Sequence, residues 1–323
     1  CAVLWFGGNK IVQGTMLTGE LISFISYVTQ ILMSLMMLSM LLLNLVLSRA
    51  SIGRIVEVLD EVPDIQNGAN ALDTIPDGSI DFDDVYFSYK KGSENYILSD
   101  VNLHIKPGET IGILGGTGSA KSTLVQLIPR LYDVSRGSVR VGGHDVREYD
   151  IEALRDAVAM VLQKNVLFSG TIRDNLRWGD KDATQEEIEA ACRAAQAHDF
   201  IMSFPNGYDT DLGQGGVNVS GGQKQRLCIA RALLKHPKVV ILDDSTSAVD
   251  TATDASIRRA LHEEFSHITT LIIAQRVASV MNADKIIILD EGRIADMGTH
   301  DELMARSAIY REIYTSQMKG AEA

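Results

Sequence analysis

Residues 110–123 read TIGILGGTGSAKST. The string asks for a strand, a glycine-rich turn and a helix in immediate succession, the setting in which such a loop cradles phosphates. Backbone N–H groups at a helix N-terminus point at an anion, and the helix dipole favours its charge. Gly115, Gly116, Thr117, Gly118, Ser119, Ala120 and Thr123 are the candidate cradle. Lys121 would reach the terminal phosphates as a point charge, and the Ser122 hydroxyl would ligate Mg²⁺. The bland reading, an ordinary tight turn before a helix, fits this context poorly. One position departs from G-x-x-x-x-G-K-[ST]: residue 120 is Ala where the pattern has Gly. If the site needs φ > 0 or close phosphate approach, Ala costs on the order of 1 kcal/mol or more. If the backbone there is helical, Ala is harmless.

The chain has 323 residues, enough for a membrane segment plus a domain of ordinary size. It begins at Cys1, inside an apolar run, and reads as the C-terminal fragment of a longer protein. A net charge of −12 argues against a nucleic-acid partner, since phosphate backbones call for basic patches. Cys1, Cys192 and Cys228 are widely spaced, which suggests neither a disulfide framework nor a metal site and fits a reducing compartment.

Residues 21–48 contain no charge, a run longer than the ~20 needed to cross a bilayer. Residues 1–6 read as the tail of a preceding span, and the Gly-containing stretch 7–19 as the connector on the outer side. Arg49 and Arg54 mark a cytoplasmic end. At ~100° per residue, Ser23, Ser26, Tyr27, Gln30, Ser34, Asn44 and Ser48 share one stripe, interrupted by Met37 and Leu41. Such a stripe should face protein or water rather than lipid: either helix–helix contact or the wall of a translocation cavity. Met33, Met36, Met37 and Met40 read as packing residues that could also help accept varied ligands. The helical pattern runs on to Leu59 and stops before Pro63. The boundaries expected are residues 1–62 as the end of a transmembrane domain, 63–79 as a linker and 80–320 as a cytosolic domain.

Within that domain, strand-like runs at 85–89, 97–105, 110–114, 139–141, 158–162, 239–242, 270–274 and 285–289 alternate with helical ones. Residues 171–197 read as an inserted helical subdomain. The run VVILDD ends in Asp243 and Asp244, and Asp243 is placed to hold Mg²⁺ through water. These features make the fold class an α/β P-loop NTPase behind an α-helical transmembrane segment.

The string VSGGQKQR, residues 219–226, opens a helix between the phosphate loop and the VVILDD strand. With it, residues 80 to about 317 resemble the nucleotide-binding domain of ABC transporters, and the fused span makes the whole chain look like one half of an ABC exporter. The resemblance implies ATP and Mg²⁺ as cofactors. It makes Tyr89 the aromatic that stacks on adenine, and Gln163 the glutamine that touches Mg²⁺ and couples the site to membrane helices. Residues 247–250 (SAVD) would communicate between two sites. Family dimers are head-to-tail, so Ser220, Gly221, Gly222 and Gln223 would complete a partner chain's nucleotide site. The implied surroundings are the lipid bilayer, a multi-pass membrane protein with its ATPase in the cytoplasm, and a small-molecule, lipid or peptide substrate.

Three residues depart from the family pattern in one pocket. Asp244 stands where the family has the Glu that orients or deprotonates the attacking water, and its carboxylate sits roughly an ångström further back; a general base is worth about 10²–10⁴ in rate. Gln275, in LIIAQRVAS, stands where a His contacts the γ-phosphate, and Gln carries no positive charge. Ala120 is the third. The SGGQ string, which serves the other pocket, is intact. This favours an asymmetric heterodimer in which the chain's own pocket turns over slowly. The alternatives are a slow homodimer and a regulatory subunit. The span and the acidic charge argue against a soluble chromosome-maintenance or translation ATPase. A further departure, GQGG at 213–216 where exporters often have G-E-R-G, should alter the contact with the partner's coupling helices.

Overall fold

The computed structural model describes residues 2–244 and 249–321 and divides after Asp64 into two compact units. Cys1 lies outside the described residues, as do Ser247 and Ala248 of the SAVD run.

The first unit is a helical hairpin, α1 (Ala2–Val12) and α2 (Thr18–Leu59). The connector is shorter than the sequence suggests, because α1 runs through Asn9 and Lys10 before a turn. Gly7 is buried where the helices meet: a Cβ there would sit 2.4 Å from a methyl of Leu21. The Glu20 carboxylate accepts from the Leu17 N–H, one of the donors a helix start leaves without a partner. Beyond Leu21 most apolar side chains of α2 are exposed, and the helix is long and apolar enough to cross a membrane. The stripe's Ser34 hydroxyl donates to the Gln30 carbonyl, so it is satisfied within the helix.

In the second unit, β1 (Ile80–Phe87), β2 (Leu98–Ile105), β4 (Arg136–Val141) and the short β5 (His144–Asp145) form an antiparallel sheet in the order β2-β1-β4-β5. A larger sheet runs β12-β11-β3-β10-β9-β6, from β3 (Thr110–Leu114), β6 (Val158–Val161), β9 (Val239–Asp243), β10 (Thr269–Ile273), β11 (Lys285–Asp290) and β12 (Arg293–Gly298). All its neighbours are parallel except the edge strand β12. Apolar residues fill both faces. Val240, Leu242, Ile286 and Ile288 enter one core, and Val239, Ile241, Ile287 and Leu289 the other. That is why these strands read as unbroken apolar runs.

The phosphate-loop helix α3 (Lys121–Gln126) is shorter than the run LVQLIPRLY suggests; turns replace it before Pro129. Helix α4 (Ile151–Ala157) precedes β6. The inserted subdomain holds α5 (Ile172–Arg177), α6 (Gln185–Ala194) and α7 (His198–Met202), with the two-residue pair β7 (Gly170–Thr171) and β8 (Asp211–Leu212) beside them. Thr171 and Thr184 cap α5 and α6 through boxes with Asp174 and Glu187. Helices α8 (Gly221–Leu233), α9 (Thr251–Glu264), α10 (His300–Arg306) and α11 (Ala308–Ala321) complete the unit. Part of the stretch expected as a linker is pinned to it. Leu72 exchanges backbone hydrogen bonds with Glu148 and Asp150, and the Asn67 side chain accepts from the Ile151 N–H.

Candidate functional site

Strands β3, β10, β9 and β6 lie side by side and parallel, so their C-terminal ends share one edge of the sheet. Open parallel sheets bind ligands at that edge. Each strand delivers candidate residues there: the loop Gly115–Ala120 after β3, Gln275 after β10, Asp243 and Asp244 at the end of β9, and Gln163 after β6.

The loop is sterically committed. A Cβ on Gly115 would lie 2.2 Å from the Leu289 carbonyl oxygen, and Gly118 takes φ +85°. Ala120 sits at φ +70°, ψ +25°, a left-handed cap immediately before α3. Of the two possibilities open in the sequence, the strained one holds. The Lys121 ammonium donates to the Gly115 and Gly116 carbonyls at 2.9 and 2.8 Å and to Ser119 Oγ at 3.3 Å, so it is folded over its own loop. Burial lowers its pKa against the pull of Asp243 and Asp244. Thr117 and Gly116 lie in the same loop, and the buried Thr123 Oγ1 is 3.0 Å from the Tyr89 hydroxyl.

Tyr89 is half exposed, with Tyr132 edge-on at 5.0 Å between ring centres. Tyr132 is a second aromatic ring beside the candidate site. Only its nearness in space to Tyr89 singles it out, and that nearness leaves no mark in sequence spacing.

Ser122 Oγ donates to Asp243 Oδ1 at 3.1 Å. Two hard oxygens this close suit Mg²⁺, which keeps several waters and takes the rest of its shell from phosphates. Burial raises the Asp243 carboxyl above its ordinary pKa. After Asp243 the chain turns sharply, with Asp244 at φ +48° and its N–H donating to the Ile273 carbonyl. Asp244 Oδ2 accepts from Gln163 Nε2 at 3.1 Å and from Gln275 Nε2 at 2.7 Å. Burial first, and then the charge of Asp243, raise its pKa. The three residues proposed for the reacting end of the site therefore meet at one carboxylate oxygen.

Ser220, Gly221, Gly222 and Gln223 open α8. Ser220 Oγ accepts from the Gln223 N–H, and Gln223 Oε1 accepts from the Ser220 N–H at 2.8 Å. The SGGQ string is thus a capping box that shapes a positive helix end. In the GQGG run, Gly215 and Gly216 take φ near +68° and +67°, and Lys224 Nζ donates to the Gly215 carbonyl.

Residues 98–247 match the ABC transporter family. A Bacillus subtilis (strain 168) protein provisionally named multidrug export ATP-binding/permease protein YgaD is 42% identical over 317 residues, 98% of this chain and 54% of that protein. The uncharacterized ABC transporter ATP-binding protein YfiB of the same strain is 43% identical over 323 residues, 99% of this chain and 56% of its own length. A solved bacterial Atm1-family ABC exporter with ATP bound matches with a TM-score of 0.84 at 33% identity, covering 94% of this chain and 53% of that one. The chain thus spans about half the length of these relatives. This chain carries the ATP-binding domain of the ABC transporter family.

Proposed function

We propose that this chain is the ATP-binding, membrane-spanning half of an exporter, and that its own ATP site binds nucleotide but turns it over slowly. The convergence of Gln163 and Gln275 on Asp244 carries the reading. A water placed to attack the terminal phosphate needs a carboxylate within hydrogen-bond reach, and Asp reaches less far than Glu. Gln275 supplies an amide where the family supplies a cation, so charge building up on the phosphate gains less there.

In this reading Tyr89 and Tyr132 flank the adenine, and the glycine loop orients the phosphates. Lys121 exchanges the Gly115 and Gly116 carbonyls for phosphate oxygens. Ser122 and Asp243 would hold Mg²⁺, which would supply charge neutralisation at the phosphates. The SGGQ helix end closes over the nucleotide of a second half that carries a better-equipped site. An asymmetric pair explains why the departures at 120, 244 and 275 gather in one pocket while SGGQ stays whole. ATP-driven closure of the two halves would move α2 and expose its cargo path to the far side of a membrane.

Single-turnover ATP hydrolysis by the purified chain tests this against D244E/Q275H. The native chain is expected to bind ATP and cleave it slowly, and the double variant to cleave about 10²-fold faster or more. An ordinary rate from the native chain alone would instead support a homodimer.

A further inference from the structure

The backbone carbonyl of Gln275 is held by a distant part of the chain. Helix α11 docks through Tyr310, Ile313 and Tyr314: Tyr310 is fully buried, and the other two pack on the same core. The next position on that face, at the spacing i, i+3, i+4, i+7, is Gln317, where an apolar side chain would continue the stripe. Its amide is spent at both ends on the loop that follows β10. Gln317 Nε2 donates to the Gln275 carbonyl at 2.7 Å, and Gln317 Oε1 accepts from the Val277 N–H at 2.8 Å. A carbonyl at one residue and an N–H two residues later are the pair a strand edge offers its neighbour. Gln317 therefore stands in for a missing strand just where β10 has ended. The far side of the same loop is tied to α9: Arg258 donates to the Ala278 carbonyl, and Ser279 to Asp254 Oδ2 at 3.4 Å.

We propose that Gln317 is a positioning residue for Gln275: docking of α11 fixes the loop backbone so that the Gln275 amide reaches Asp244. The path is continuous, from the α11 face through the Gln317 amide and the residue 275 backbone to the 2.7 Å bond at Asp244. The consequence for ATP cleavage rests on the functional reading above, but the positional claim does not.

The test uses the full chain and Q317A. The expected result has three parts. Hydrogen exchange at the buried Val277 amide quickens by about tenfold. The Gln275 side-chain amide resonance moves toward that of an exposed glutamine. The global unfolding midpoint stays near native. Q317E retains the acceptor for Val277 and loses the donor for Gln275, so it should keep the exchange protection and still shift the Gln275 resonance. In a D244E background, where cleavage is faster, Q317A should slow single-turnover hydrolysis about three- to tenfold, the equivalent of one hydrogen bond, with ATP affinity unchanged. An unmoved Gln275 resonance in Q317A overturns the proposal. So do changes at both reporters that come only with a matching loss of global stability. Failure of the slow-site reading shows separately, as fast cleavage by the native chain, and leaves both resonance and exchange results in force.

Discussion

At residue 120 an alanine holds a backbone conformation that suits glycine, φ +70° and ψ +25°. The left-handed region brings Cβ close to the following carbonyl, which costs roughly 1–2 kcal/mol. Ala120→Gly is accordingly expected to stabilise the unliganded chain by about 1 kcal/mol, read as a rise of about 2–4 °C in Tm. An unchanged Tm would mean that the neighbourhood already relieves the strain. Asp244 shares the left-handed geometry, at φ +48°, but Asp is one of the few residues that tolerates it through its short polar side chain. Thus Asp244→Glu gains reach and adds strain, and faster cleavage should come with a somewhat lower Tm. The residue types at 120, 244 and 275 were legible as departures from a pattern. Their backbone angles were not, because a φ value is set by what surrounds a residue and a one-letter string does not record it.

Elements carry the site as much as side chains do. The strands that deliver it were legible because a parallel strand buried on both faces is an apolar run with polar punctuation. The edge strand β12, with its alternating exposure, was not, and neither were the two-residue strands β5, β7 and β8, too short to leave a period. The phosphate-loop helix was overread, since apolar residues past Gln126 continue as turns that pack without being helical. The SGGQ helix starts where the sequence places it, and Ser220 caps it reciprocally with Gln223. Ser220→Ala should destabilise the chain by about 1 kcal/mol in urea unfolding. It should leave ATP affinity at the chain's own loop unchanged while lowering turnover in an assembled pair. Weaker binding at the own loop would place SGGQ in the wrong pocket.

On the scale of the whole molecule, α2 is 42 residues long, about 63 Å at 1.5 Å per residue, roughly twice the ~30 Å hydrocarbon core. Its apolar length was plain in the sequence; the α1 hairpin was only half seen, because Asn9 and Lys10 look like a loop and are helical. If Arg49 and Arg54 mark the cytoplasmic side, an impermeant thiol reagent added to intact cells should label Leu17→Cys. Arg54→Cys should stay unlabelled until the membrane is opened, and the reverse order would put the ATP site on the wrong face. The strand order has a consequence in time. In the finished sheet β3 sits between β10 and β11, yet β10 begins 155 residues after Leu114 and β11 begins 171 after it. At ~5–20 residues per second, a ribosome leaves the strand that carries the nucleotide loop with both edges bare for many seconds. A truncated nascent chain stopped before Thr269 should therefore lean on a chaperone and hold no nucleotide, whereas one that has released residue 290 can do both jobs itself.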